Sequence, residues 1–283
     1  MRSERYIPYL LVLPSVLFLL FLFAWPLLEA LLLSIRGAGG EWTLENFQRM
    51  AADLYFKDAI KYTVLLAVVV VPLQVVLALC LALLLGGIGK GRDLFLYVWT
   101  IPLGISDLAA GIVWLAIFTE RGYLNSFLQA LGVIQEPRLW LSYETPAILF
   151  LAVVAAEVWR ATAIVFVILV AGLQLIPKEY GEAAEVFGAS PWRRFWKVTL
   201  PLLTPSLQVA LILRTILALE VFAVVVALGG RTLPVLAGEA YYWYNAYQNP
   251  GVAAAYSVLI LGISVVATLV YLRLMRSRQE AAV

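Results

Sequence analysis

The 283-residue chain contains no histidine. That absence excludes Ser-His-Asp and Cys-His catalysis, together with His-ligated zinc and haem. No metal site is expected. There is a single cysteine, Cys80, so an internal disulfide is excluded. It lies in an apolar run and reads as a small packing residue. Charge is scarce as well: 13% of residues are charged and 63% are hydrophobic. Such a chain has too little polar surface to cover a water-soluble globule, which excludes an ordinary cytosolic enzyme. A disordered chain needs the opposite composition. The net charge of +2 is too small to argue for nucleic acid.

Long apolar runs fill the space that charge leaves. A bilayer span needs about 20 apolar residues as a helix. Six segments meet or nearly meet that length: about Ile7 to Leu33, Tyr62 to Gly87, Leu94 to Phe118, Thr145 to Leu173, Leu200 to Leu228 and Val252 to Leu272. The third is broken only by Asp107. The fourth carries Glu157 and Arg160, and the fifth carries Arg214 and Glu220. The first is too long for a signal-peptide core and no small-x-small site closes it, so it reads as a permanent span. The expected fold is an all-α integral membrane protein with six transmembrane helices, solvated by membrane lipid. Residues 1–283 are expected to form one transmembrane domain.

Six spans put both termini on one side. Lys90, Arg92, Lys178, Arg193, Arg194, Lys197 and the basic residues at both chain ends fall on that side. Arg36, Arg49, Lys57, Lys61, Arg121, Arg138 and Arg231 fall on the other. The bias favours cytoplasmic termini. In the first outer loop, Trp42 to Asp58 reads as a small amphipathic helix, with Leu44, Phe47, Met50 and Leu54 at helical spacing. Tyr241, Tyr242, Trp243, Tyr244 and Tyr247 cluster before the sixth span. They read either as an interfacial aromatic belt, which the sequence favours, or as a sugar-stacking or docking surface. The glycine-rich run Gly86–Gly91 lacks the P-loop spacing and the Ser/Thr after Lys90, so it reads as an inner turn and not a nucleotide site.

The loop between the fourth and fifth spans is the most informative segment. Pro177 suits a first helical position. Tyr180, Ala183, Ala184 and Phe187 then form one apolar face, and Glu179, Glu182 and Glu185 form an acidic stripe. Gly188 ends the helix, and Ser190-Pro191 starts another as N-cap and N1. Interfacial helices usually carry basic polar faces, so an acidic one fits a protein partner better than headgroups.

At these residues the sequence resembles a family. Glu182-Ala183-Ala184, three residues, Gly188, nine residues and Val198-x-Leu200-Pro201 resemble the EAA loop of binding-protein-dependent ABC importers. Val198 stands where Ile is usual, and Phe187 where Asp is more frequent. The stretch from Ala171 through Pro177, Trp192 and Pro201, the opening Leu13-Pro14 and Trp25-Pro26, and Glu45-Asn46-Phe47 are similar to the maltose-type carbohydrate-uptake branch, in its first permease subunit. The resemblance implies a type I ABC importer permease fold in a prokaryotic inner membrane. It implies a second homologous permease, two ATPase subunits and an extracytoplasmic substrate-binding protein as partners. ATP and Mg would belong to the ATPases, with no cofactor in this chain. Residues 174–199 would be the cytoplasmic coupling loop, with Glu182, Ala183, Ala184 and Gly188 at the ATPase. ATP-driven closure would swing this helix and flip the spans as a rigid-body switch.

Charges near mid-span are costly and default to function. Glu157 and Arg160 are i, i+3 and can pair with each other, so a structural ion pair and a substrate pathway stand level. The resemblance places Glu157, Arg160, Ala161 and Ile164 on a pocket-lining face. Arg214 and Leu217 share a face of the fifth span, with Val221; Glu220 is on another face and is a weaker candidate. Gln74 and Asp107 can face the interior simply to be satisfied. Pro72, Pro102 and Pro146 are expected to weaken helices where motion is absorbed. The leading expectation is a sugar or oligosaccharide importer permease. A same-fold importer of a non-sugar such as a phosphorylated polyol, using Arg160 and Arg214 if Glu157 and Glu220 do not neutralise them, is the alternative. An ion-coupled carrier is disfavoured by the EAA loop, and a membrane hydrolase by the missing catalytic groups.

Overall fold

The computed structural model describes residues 7–37 and 39–275. The basic residues Arg2, Arg5, Arg276 and Arg278 lie outside them. In chain order the helices are α1 (Ile7–Leu19), α2 (Trp25–Ser34), α3 (Glu45–Ala51), α4 (Phe56–Gly87), α5 (Arg92–Thr100), α6 (Asp107–Phe118) and α7 (Tyr123–Ala130). They continue as α8 (Pro146–Gln174), α9 (Lys178–Val186), α10 (Pro191–Arg194), α11 (Leu200–Leu219), α12 (Ala223–Gly229), α13 (Leu236–Asn245) and α14 (Pro250–Leu274). Among the described residues β-structure is limited to one isolated bridge, Arg36 to Trp42.

Among the described residues five helical stretches are long and apolar enough to cross a membrane, and the bent pair Arg92–Gly104 with Asp107–Ala130 makes six when counted as one span. Prolines explain the irregular turns. A proline lacks its N–H and crowds the carbonyl four residues earlier. A π-helical turn at Leu20–Ala24 joins α1 to α2 just before Pro26, and another at Phe195–Thr199 leads into α11 before Pro201. Both turns hold the displaced carbonyl within a continuing helix.

Three sequence expectations change here. The third span is not one helix from Leu94 to Phe118. Pro102 leads a 3₁₀ turn, Ile101–Gly104, and Ser106 then caps α6, its Oγ accepting from the Ala109 N–H at 3.2 Å. The arms on either side bend by 101°. Asp107 sits in the first turn of α6, where its charge suits the helix dipole. The fifth span runs Pro191–Leu219 and stops there, so Glu220 is the exposed C-cap and not a mid-span charge. Val221 lies past that end and belongs to the core. Pro146 opens α8 at its first position and weakens nothing, while Pro72 does lie inside α4.

The chain divides into two compact units, one within Met1–Lys57 and Glu239–Gly262, the other within Asp58–Gly238 and Ile263–Val283. In the first unit the expected helix over Trp42–Asp58 shrinks to the seven residues of α3. Its buried positions are Asn46 and Met50, while Leu44 and Leu54 are exposed. The reason is polar. Asn46 Nδ2 donates to the carbonyls of Leu33, Ser34 and Arg36, at 3.3, 3.2 and 3.0 Å, and so closes the end of α2. Asp53 accepts from Trp243 Nε1 at 2.6 Å and from the Tyr256 hydroxyl at 2.8 Å. Trp243 therefore turns inward, and Tyr241, Tyr244 and Tyr247 remain exposed.

The second unit holds two buried clusters. One joins α4, α6, α8 and α12 through Leu66, Val70, Ala110, Leu149, Val153 and Val224. The other joins α4, α8 and α11 through Ala78, Leu81, Leu85, Phe166, Leu169 and Leu203. Small residues allow close approach, as spans require. At Gly111 a methyl group would lie 2.6 Å from the Ala227 side chain. Ala78, Leu81, Ala82 and Leu85 turn one face of α4 inward, which leaves Cys80 exposed rather than packed.

A charged cleft and an exposed inner helix

Within the second unit, α8 and α11 pack side by side and carry the mid-span charges. Glu157 and Arg214 are each 1% exposed, and Gln74 is fully buried. Arg214 Nη2 donates to Glu157 Oε2 at 2.7 Å, and Arg214 Nε donates to Gln74 Oε1 at 2.5 Å. Gln74 Nε2 in turn donates to the Glu157 carbonyl at 2.7 Å. The three side chains thus tie α4, α8 and α11 together. Arg160 Nη2 reaches the two Glu157 oxygens at 3.3 and 3.2 Å. Its stronger partner is Asp107, with Nη1 to Oδ1 at 2.7 Å. The network holds two cations and two carboxylates and is internally neutral. Burial of these charges is tolerable only because each finds its opposite.

The pairing expected between Glu157 and Arg160 is therefore the longer arm of a four-residue network. The Arg214 link across helices is shorter and fully buried. Two donors remain unmatched: Arg214 Nη1 and Arg160 Nε are buried without a hydrogen-bond partner among the described residues.

A cleft of about 200 Å³ opens beside this network. Arg160, Ala161, Ile164, Arg214, Leu217 and Glu220 all line it. Six of the seven sequence-predicted pathway positions thus meet around one space. Glu157 lies behind, holding the arginines. The sequence reading missed Pro102, Leu103 and Asp107, which complete the lining. They come from the broken third span, and the break itself was the signal: Pro102 followed by a Ser-Asp helix start.

The inner helix α9 begins at Lys178, with Pro177 as its N-cap and not its first residue. None of its residues is buried. Gly188 ends it with φ +72°, a left-handed conformation that glycine takes without cost. The Gly188 N–H donates to Glu185 O and the Ala189 N–H to Ala184 O, each at 2.9 Å. These two bonds satisfy carbonyls at the helix end. Ser190 Oγ then accepts from the Arg193 N–H at 3.4 Å to start α10. Phe187 is 89% exposed and Val186 85%. The acidic stripe is divided: Glu185 is paired with Arg194, whereas Glu179 and Glu182 stand exposed with no ion pair among the described residues.

A family model described as "binding-protein-dependent transport system inner membrane component" matches residues 63–279. The trehalose/maltose transport system permease protein MalF of Thermococcus litoralis is 37% identical, over 84% of this chain and 80% of its own length. The sn-glycerol-3-phosphate transport system permease protein UgpA of Agrobacterium fabrum is 30% identical, over 97% of this chain and 96% of its own. Among solved structures, a bacterial alginate ABC transporter in complex with an alginate pentasaccharide-bound periplasmic protein has a chain of the same fold. Its TM-score is 0.81 at 20% identity, covering 97% of this chain and 95% of that one.

Proposed function

The chain belongs to the family of binding-protein-dependent transport system inner membrane components, and we propose that it forms the translocation path for a neutral sugar or oligosaccharide in an ATP-driven importer. The observation that carries the substrate class is the cleft. Its lining offers guanidinium donors at Arg160 and Arg214 and carboxylate acceptors at Asp107 and Glu220. Hydroxyl groups take both kinds of hydrogen bond, and charge-assisted ones are the stronger. Both arginines are already neutralised, by Glu157 and Asp107. A phosphorylated polyol would have to displace a carboxylate to gain a charge partner, so the phosphate reading has less support than the neutral one.

The remaining assembly follows from the inner helix. Its exposed Ala183, Val186 and Phe187 need a covering surface, and Glu179 and Glu182 need cations. An ATPase subunit supplies both in this reading, one under each of two permease subunits. Hydrolysis occurs there, with ATP and Mg, and this chain holds no cofactor. A binding protein delivers the sugar from outside. Gly188 fixes the angle at which α9 leaves the bundle, so motion of the ATPase is transmitted as a rigid-body movement.

The test is ATP-dependent uptake in proteoliposomes containing the chain with a companion permease, an ATPase and a binding protein from the same organism. Labelled neutral disaccharides should enter and a sugar phosphate should not. Selective uptake of the phosphate would overturn the neutral reading. Uptake by this chain alone under an ion gradient would overturn the importer reading.

A further inference from the structure

We infer that the inner end of the second unit holds a binding site for an anionic phospholipid of the cytoplasmic leaflet. This site is separate from the sugar cleft and from the exposed face of α9. A second cavity, about 310 Å³, lies where the ends of α4 and α8 meet the starts of α5 and α9. Its floor is apolar: Ala82, Leu85, Val170, Leu173 and Ile176. Its charged lining residues are Arg92 and Lys178, and no acid lines it. Neither cation enters an ion pair among the described residues, and both side chains are exposed.

The local charge balance favours an anion. The C-termini of α4 and α8 each present about half a negative charge from their free carbonyls. The N-termini of α5 and α9, which meet at the same cavity, each present about half a positive charge and cancel them, so the two full positive charges remain. Asp93 and Glu179 follow the two cations in sequence but do not line the cavity. A net positive rim over a hydrocarbon floor matches a phosphate headgroup carrying an acyl chain, whereas a free phosphate would leave the floor unused. Basic pockets between spans on the cytoplasmic side bind anionic headgroups by this chemistry. The position is right for a lipid. Leu94, Tyr97 and Val98 of α5 are exposed, and Phe95 and Leu96 pack inward, so α5 presents an apolar and aromatic face at the level where interfacial residues gather. Lys178 is also the first residue of α9, so a bound headgroup would brace the base of the inner helix.

The experiment uses the full chain, purified from nanodiscs of phosphatidylcholine with phosphatidylglycerol, and counts retained lipid by native mass spectrometry. One phosphatidylglycerol should be retained in preference to phosphatidylcholine. Each surface charge contributes about fivefold, so Arg92→Gln with Lys178→Gln should lower that preference about 25-fold. Arg92→Lys with Lys178→Arg should keep it, and Arg273→Gln, on α14, should not alter it. Should the double glutamine variant fail to fold, the unmutated chain decides: raising salt from 0.05 to 0.5 M should weaken the preference. Unchanged preference in the double variant, or insensitivity to salt, would overturn the site. Equal retention of phosphatidylcholine would reduce it to an apolar groove. Full displacement by 10 mM inorganic phosphate, with phosphate binding to the lipid-stripped chain, would make it an anion site without a lipid.

Discussion

The cleft and the inner helix both rely on arginines and carboxylates, yet they treat charge in opposite ways. Around the cleft, Glu157 binds Arg214 and Asp107 binds Arg160, so the charges of this network are matched inside the chain. On α9 the carboxylates of Glu179 and Glu182 and the rings and methyls of Phe187 and Val186 face outward. The first arrangement is complete within one polypeptide. The second is completed, in the proposed reading, by a partner. A buried charge must be satisfied by its own fold, whatever else it does, while an exposed apolar face beside unpaired acids is left for another surface.

The sharpest way to break this comparison is to open the buried pair. Arg214→Gln leaves Glu157 with only its longer contact to Arg160, and Gln74 without its donor. Loss of one partner of a buried pair costs about 3–5 kcal/mol. The variant should fall in yield and in melting temperature in detergent. Glu157→Gln with Arg214→Gln should recover most of the loss. In the recovered double variant, uptake separates scaffold from pathway: the proposed substrate contact at Arg214 requires uptake to be lost, and full uptake would leave the pair as scaffold alone. Arg160→Gln should cost less than Arg214→Gln, because Arg160 is partly exposed and its partner Asp107 half-exposed.

Much of this was legible in residue types and in the family resemblance. The resemblance points to Arg160, Ala161 and Ile164 as part of one pocket-lining face, and the three line one cleft. Arg214 and Leu217 are i, i+3 and join them from α11. The turn at Gly188 was legible because only glycine takes φ +72° freely. Other features were not. Charge partners across helices depend on how spans rotate against one another, which one sequence does not encode locally. From sequence, therefore, Glu157 and Glu220 are both candidates to neutralise Arg214, and Glu157 reads as a partner of its neighbour Arg160. The end of α11 at Glu220 carries neither glycine nor proline, so the fifth span was placed too far along the chain. The small outer helix was misjudged because its inward face is set by Asn46, a polar residue, and not by the leucines.

A change on the inner helix should leave stability alone and act on coupling. Glu182 is exposed and enters no ion pair among the described residues. Glu182→Lys should keep the melting temperature of the membrane subunit. It should weaken ATPase capture and lower uptake by about tenfold or more, since like charges meeting at an interface are strongly unfavourable. Unaltered capture together with unaltered uptake would remove Glu182 from the coupling surface. Gly188→Val should act more mildly. Nothing lies within 4 Å of the added carbon, so the penalty comes from the backbone alone. A left-handed conformation costs an ordinary residue about 1–2 kcal/mol. The helix end should fray, seen as faster amide exchange at Gly188 and Ala189, with partial loss of uptake. Gly188→Asn, which tolerates this conformation better, should retain more of both.

The smallest effect sharpens the comparison within the acidic stripe itself. Glu185 differs from Glu182 only in being tied to Arg194. Both groups of that pair are substantially exposed, and exposed pairs contribute about 0–1 kcal/mol. Arg194→Gln should therefore shift stability by less than about 1 kcal/mol, and less still at high salt. It also frees a third carboxylate on the face of α9. If the ATPase recognises the presented acids, capture should hold or strengthen slightly in Arg194→Gln while it collapses in Glu182→Lys. Equal losses in the two variants would show that the stripe is not divided into a tied and a presented part. Arg194 would then itself belong to the docking surface, and the contrast between an internally satisfied region and an outward-facing one would have to be redrawn one turn further along the chain.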